Sequence, residues 1–328
     1  MSIATTSNSV LSRIPTIAVQ RRLALVLLIL QGGITVTGSI VRVTGSGLGC
    51  DTWPNCHAGS LVPVQGAAPL VHQFIEFGNR LLTFVLVASV VAVLYSLYKA
   101  QRRTELKVYG IINAVGIVVQ AVIGGISVHL DLQWWAVALH FLPSIILVWI
   151  SALLYQRVQE PDDGVVEQTF PQVVRICALS AALALAVVLV TGTMTTGAGP
   201  HAGDATAGME GRLEVDIDIM AHVHGLLMYL YFALTAATVF LLYRFSAPQE
   251  SRRTGLILMG LIVVQGAIGI AQYRLGVPRW TVPIHIGMSS VVTAFSAFLY
   301  AHGVIRTGGS ATKTGSPAGD AEVPSRVA

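Results

Sequence analysis

Four histidines stand out as residues that could do chemistry: His72, His140, His224 and His285, each near the start of an otherwise apolar stretch. Two of them sit in blocks that are written twice. Val118-Val119-Gln120, Ile123-Gly124, Trp135 and His140 recur as Val263-Val264-Gln265, Ile268-Gly269, Trp280 and His285, at one constant offset of 145 residues. The preceding stretches keep that offset, so Gly110 falls on Gly255 and Asn79-Arg80-Leu81-Leu82 on His224-Gly225-Leu226-Leu227. The chain is a tandem duplication in which His224 pairs naturally with His285, and His140 with a residue of the segment containing His72 and Asn79. A lone histidine in an apolar helix usually serves packing or hydrogen bonding, but several at matched positions ask for a ligand. Imidazole binds iron, copper and zinc, and histidines on facing helices of a bundle hold a haem through its two axial positions. No carboxylate or thiolate cluster sits beside the pairs and the surroundings are glycine-rich and apolar, which favours haem over a small ion.

The elements that must position these side chains follow from composition. Apolar residues make up 54% of the 328-residue chain and charged residues 11%, and the mean hydropathy is +0.70, far from the balance of a soluble domain. Eight apolar runs, at 22–42, 72–98, 108–128, 135–156, 173–195, 218–243, 254–273 and 281–303, each approach the roughly 20 residues that cross a bilayer as a helix. The fold class expected is therefore an all-α polytopic membrane protein: eight transmembrane helices as two tandem four-helix bundles. An even number of helices per copy inserts both copies in one orientation, related by a pseudo-twofold axis along the membrane normal. With the N-terminus inside, fifteen Lys and Arg fall on the inner side and five on the outer side or outer helix ends. Both termini are thus expected in the cytoplasm, with the protein multi-pass in the plasma membrane. The divisions expected are a cytoplasmic N-terminus at 1–21, an N-terminal half at 22–156, a cytoplasmic linker at 157–172, a C-terminal half at 173–303 and a disordered cytoplasmic tail at 304–328. The Arg21-Arg22 pair precedes a long run with no cleavage site, so a retained first helix is expected rather than a twin-arginine signal. The net charge of +4 reflects the inner collar and not a basic stripe, so nucleic acid is no partner.

The first outer loop carries Cys50 and Cys56 with His57 beside them. On an oxidising face the pair is read as a disulfide, with a redox-active dithiol and a metal site using His57 as alternatives. Cys177 lies near the inner end of the fifth run and reads as an inert core thiol. In the second run His72, Glu76 and Asn79 share one helical face, and Arg80 is one turn beyond Glu76 and able to pair with it. Ionisable groups this deep are costly and should face the bundle interior. Thr37-Gly38-Ser39 and Thr191-Gly192-Thr193 read as close-packing motifs, His129 as a solvated loop residue, and His222, about 200° around the helix from His224, as an ambiguity.

Gly47-Leu48-Gly49-Cys50-Asp51-Thr52-Trp53-Pro54-Asn55-Cys56-His57, the Glu76-x-x-Asn79-Arg80 segment, the two Gln-to-His blocks and His224 together resemble the haem A synthase family over nearly the whole membrane region. The resemblance implies an oxidoreductase of haem biosynthesis, needed for cytochrome oxidase biogenesis, that hydroxylates the C8 methyl of haem O twice and loses water to leave the formyl group of haem A. It implies a resident haem b held by His224 and His285, a substrate haem O in the N-terminal half with His140 as a ligand, and Glu76 as the catalytic acidic residue. Asn79 and Arg80 would line the substrate site. The family pattern has a histidine where this chain has Asn79, so either His72 substitutes as ligand or the substrate iron has one histidine; the reading leans to His72. Partners implied are the protohaem farnesyltransferase that makes haem O, a membrane electron donor and membrane lipids; homo-oligomerisation is left open. Two rivals stand: a di-haem cytochrome that oxidises quinol, and a transporter with histidine proton relays.

Overall fold

The computed structural model describes residues 14–202 and 211–308. Eight helices long and apolar enough to cross a membrane account for most of them: α1 Ile17–Val43, α2 Leu70–Lys99, α3 Thr104–His129, α4 Trp134–Arg157, α5 Gln172–Ala198, α6 Ile217–Arg244, α7 Gln249–Arg274 and α8 Thr281–Ala301. All eight contain the apolar runs read from sequence or most of them, and most extend beyond by a few residues. Those extensions carry ends that suit a helix rather than a bilayer. Thr16 caps α1 by accepting from the Val19 N–H, and Asp216 caps α6 by accepting from Asp218 and Ile219, each taking up amides that the helix itself leaves free. Arg42, Lys99, Arg157, Arg244 and Arg274 sit in last turns, where a cation opposes the carbonyl end of the helix dipole. Large apolar side chains such as Phe84, Leu226 and Phe240 are about two-thirds exposed, an arrangement that only a lipid solvent makes favourable.

In the first four helices, α1 packs on α2, α2 on α3, α3 on α4 and α4 back on α1; α5 through α8 repeat the same circuit. Each set has its own core, one built around Leu27, Leu86, Leu97, Leu106 and Leu154, the other around Val174, Tyr231, Leu242, Leu258 and Ile262. A third cluster, with Leu28, Val148, Ala152, Ala294 and Ala297, joins α1, α4 and α8. Many polar groups inside are paired, as an apolar medium favours. Asn113 Oδ1 accepts from Gln31 at 3.1 Å and Ser151 at 2.8 Å, the Tyr231 and Ser296 hydroxyls meet at 2.6 Å, and Thr35 meets Ser290 at 3.0 Å between α1 and α8. α5 and α6 pack more closely along their length than α1 and α2.

One element was not anticipated. Val165–Gln168 (β1) and Val304–Thr307 (β2) form a two-stranded antiparallel sheet, with Val165 opposite Thr307. β2 thus takes up residues expected to begin the tail, while 309–328, 1–13 and 203–210 lie outside the described residues. Beside the sheet, buried Arg102 donates to Asp162, Gln20, and the carbonyls of Val158 and Glu160, and Arg103 pairs with Glu105 and Glu160. Arg157 pairs with Glu160 and donates to the Val304 carbonyl, so the start of α3, the end of α4, the linker and β2 are clasped together.

Candidate functional site

His224 enters from α6 and His285 from α8, diagonal corners of the second set of four helices. Their rings face each other with centroids 6.5 Å apart and planes at 65°. Two imidazoles on opposite sides of one metal, each bonded at roughly 2 Å, would have centroids roughly 6 Å apart, so the spacing suits a shared iron. Among the described residues no group of three His, Cys, Asp or Glu could hold a metal ion. The surroundings are shaped to the rings. A Cβ on Gly192 or on Gly269 would lie 3.1 Å from Cε1 of His224 or His285, closer than such atoms normally approach. Thr191 Oγ1 is 3.2 Å from His224 Nδ1, which fixes the ring and leaves Nε2 without a protein partner, as expected of a metal-binding imidazole. The Gln265 amide nitrogen lies 3.3 Å from His285 Nε2 and donates to the His285 carbonyl at 3.2 Å, and His285 Nδ1 is buried with no partner. The Thr-Gly-Thr motif of α5, read from sequence as packing, is therefore part of this site.

The first set repeats the plan with one change. His140 on α4 lies 3.1 Å from where a Gly124 Cβ would be, the same clearance as at the other two rings. Its Nδ1 and both amide atoms of Gln120, one turn before Gly124 on α3, are buried without partners. On α2, diagonal to α4, Asn79 occupies the position equivalent to His224. Thr37 Oγ1 donates to Asn79 Oδ1 at 2.7 Å, as the counterpart of the contact between Thr191 and His224. The match of Thr37 with Thr191 escaped the 145-residue offset that relates Asn79 to His224, because α1 and α2 are separated by a longer loop than α5 and α6. An open cavity of about 330 Å³ lies between α1 and α2, lined by Thr37, Ile40, Ile75, Gly78, Asn79 and Leu82. His72 is half-buried near the start of α2, seven residues before Asn79, and does not line it.

Glu76 and Arg80, by contrast, turn to the cysteine loop. Glu76 accepts from the Cys50 N–H at 2.7 Å and from Arg80 at 2.5 and 3.1 Å; Arg80 also donates to the carbonyls of Asn55 and Cys50. Cys50 and Cys56 form a disulfide, which removes the thiolates that a metal site there would need. His57, the third member of that alternative, is buried with one ring nitrogen 2.9 Å from Asp51 and the other 2.9 Å from Gln73. Gln73 was not singled out from sequence. It also meets the Val64 and Ala68 carbonyls, and its spacing of three from Glu76 was the available signal. Trp53 lies against Gly125 of α3, where a Cβ would clash at 2.4 Å, and its carbonyl is 3.2 Å from Nε2 of His129, which ends α3 rather than standing in a loop. His222 faces away from the paired rings, with Nδ1 at 2.6 Å from the Asp218 carbonyl and its ring edge-on to Tyr273. Cys177 is free and half-buried, with Sγ 3.5 Å from the Leu234 carbonyl.

Several characterised proteins are similar to parts of the chain. The heme A synthase of Lysinibacillus sphaericus is 36% identical over 138 residues, 42% of this chain and 42% of that protein. That of Listeria welshimeri is 34% identical over 131 residues, 38% of this chain and 41% of the relative, and that of Exiguobacterium sibiricum 30% over 130 residues, 38% and 42%. The chain thus matches about two-fifths of the length of these relatives. A much longer match, over residues 21–297, is to the model of the COX15-CtaA family, described as cytochrome oxidase assembly protein. With eight spanning helices and duplicated histidine blocks inside the matched range, the chain belongs to the COX15-CtaA family of cytochrome oxidase assembly proteins.

Proposed function

We propose that this chain is a haem A synthase, oxidising the C8 methyl of haem O to a formyl group by two successive hydroxylations and loss of water. The observation that carries the proposal is the facing pair His224 and His285 at 6.5 Å, repeated in the first half as His140 with its own glycine clearance. In this reading the halves are four-helix bundles related by a pseudo-twofold axis along the membrane normal, supported by the repeated packing circuit. His224 and His285 would hold a resident haem b, and His140 would hold haem O as substrate. When bound, a haem b supplies a one-electron relay. The protein's part is to fix the rings: Thr191 orients His224, Gln265 orients His285, and the glycines let both approach. Glu76 would serve as the proton-handling group, its carboxylate held beneath the cysteine loop by Arg80 and the Cys50 N–H, on the side of α2 away from the cavity beside α1. The positive-inside bias supports a cysteine loop on the outer face of the plasma membrane, with both termini in the cytoplasm, and the protohaem farnesyltransferase and a membrane electron donor are the expected partners.

The test is conversion. Purified protein in detergent should carry haem b on extraction and turn added haem O into haem A when given a reductant and oxygen, and a strain lacking the gene should accumulate haem O. A protein that binds haem, is reduced by quinol and leaves haem O unchanged would be the di-haem electron carrier instead. A preparation with no Soret band would leave the transporter.

A further inference from the structure

We infer that the first half grips its iron porphyrin by a single imidazole, His140, and that Asn79 faces the open side as a hydrogen-bond donor rather than as a ligand. The inference rests on the reading that the first half takes haem O. Three observations lead to it. Asn79 and His224 are equivalent twice over, by their place in the repeat and by the threonine of the preceding helix that each contacts. The two imidazoles of the second half thus correspond to one imidazole and one carboxamide in the first. Next, the Asn79 oxygen is already taken by the Thr37 hydroxyl at 2.7 Å, which leaves its NH₂ group as the free functionality; a carboxamide nitrogen donates hydrogen bonds and has no lone pair to give a metal. Finally, the space at this position is open. The cavity of about 330 Å³ has Asn79 in its wall, and Gly78 contributes no side chain where the second half has Val223.

His72 does not restore the missing ligand. Seven residues before Asn79 on a helix, it stands roughly 10 Å nearer the outer surface. Its turn cannot slide inward, because Gly49 rests on it so closely that a Cβ there would lie 2.6 Å from the His72 carbonyl. On α3 and α4, Gln120 and His140 leave buried atoms without partners, as suits a site completed by something other than protein, since each such atom costs about 1–3 kcal/mol when left unmet.

The experiment uses the full-length purified protein with its resident haem in place. Ferric haem O is added, its spectrum recorded by difference, and the sample then reduced and exposed to carbon monoxide. The added haem should be high-spin and bind one carbon monoxide per iron, while the resident haem binds none. Asn79→His should make the added haem low-spin and abolish the carbon monoxide shift. Asn79→Ala should keep it high-spin and lower the affinity for fluoride, a hydrogen-bond acceptor, about tenfold. His72→Ala should change neither. A low-spin spectrum in the unaltered protein that becomes high-spin in His72→Ala would overturn the inference and make His72 the second ligand. A high-spin state indifferent to both Asn79 variants would overturn it too, since Asn79 would then not face the iron. If no added haem binds while the resident one is present, the substrate-pocket reading itself fails, and the inference falls with it.

Discussion

Substituting Gly269 by alanine places a methyl carbon 3.1 Å from Cε1 of His285, and Gly192→Ala does the same to His224. Ordinary carbon contacts lie near 3.5–4.0 Å, so each ring must withdraw by a few tenths of an ångström. In the free protein a ring can do that cheaply by a small rotation. With an iron bound to its nitrogen it cannot, so the strain falls on the haem-loaded state. Overpacking by one methyl costs about 1–3 kcal/mol, which corresponds to an affinity loss of about 5- to 150-fold for the resident haem. Gly266→Ala on the same helix is the control: nothing lies within 4 Å of its Cβ position, and alanine is the better helix former by about 1 kcal/mol. The assay is haem transfer from each variant to a soluble haem acceptor, with the ferric low-spin resonance followed in parallel. Gly192→Ala and Gly269→Ala should release haem faster and shift that resonance, while Gly266→Ala should do neither. Three variants that hold haem equally well, with one unchanged resonance, would refute the idea that these glycines shape a haem site.

Other expectations concern the first half and the end of α8. Cys50→Ser opens a short loop, the cysteines being six residues apart, and should cost about 2 kcal/mol in the chain-entropy picture, read as a lower melting temperature and faster proteolysis at the loop, with the resident haem spectrum unchanged. Glu76→Gln leaves the largely buried Arg80 guanidinium without its carboxylate and should destabilise by about 3 kcal/mol; Glu76→Gln combined with Arg80→Gln should recover part of this in thermal denaturation. His302, just past α8, is half-buried beside Thr254 and Gln156, and burial pushes its pKa below the ordinary histidine value, with Glu250 raising it and Arg157 lowering it. Its neutral form is the one the fold accommodates, so below about pH 6.5 the unfolded chain takes up the proton first and stability falls. Melting temperatures between pH 8 and 5 should show this acid-side loss in the natural protein, and His302→Gln should flatten it.

The membrane helices were legible because hydropathy and length report directly on the solvent they cross, and the pairing of His224 with His285 because a duplication preserves partners. Cys50 and Cys56 were legible as a disulfide from their spacing on an oxidising face. The glycines opposite the histidines were visible only as generic packing, since nothing local tells Gly192, against a ring, from Gly225, against open space. The link from His57 to Gln73 depends on how the loop folds back over α2, a tertiary matter with no period to read. The strands at 165–168 and 304–307 escaped notice because four residues of ordinary composition carry no signal until a partner 140 residues away supplies the hydrogen bonds.

α2 serves two masters within three turns. One side of it, through Gln73, Glu76 and Arg80, grips the disulfide loop; the other, through Ile75, Gly78, Asn79 and Leu82, walls the cavity beside α1. A helical rod this short moves as one piece, so any tug on the disulfide loop is delivered to Asn79 without relay or delay. Lid and pocket are in effect mounted on a single axle, and neither can be redesigned without retuning the other.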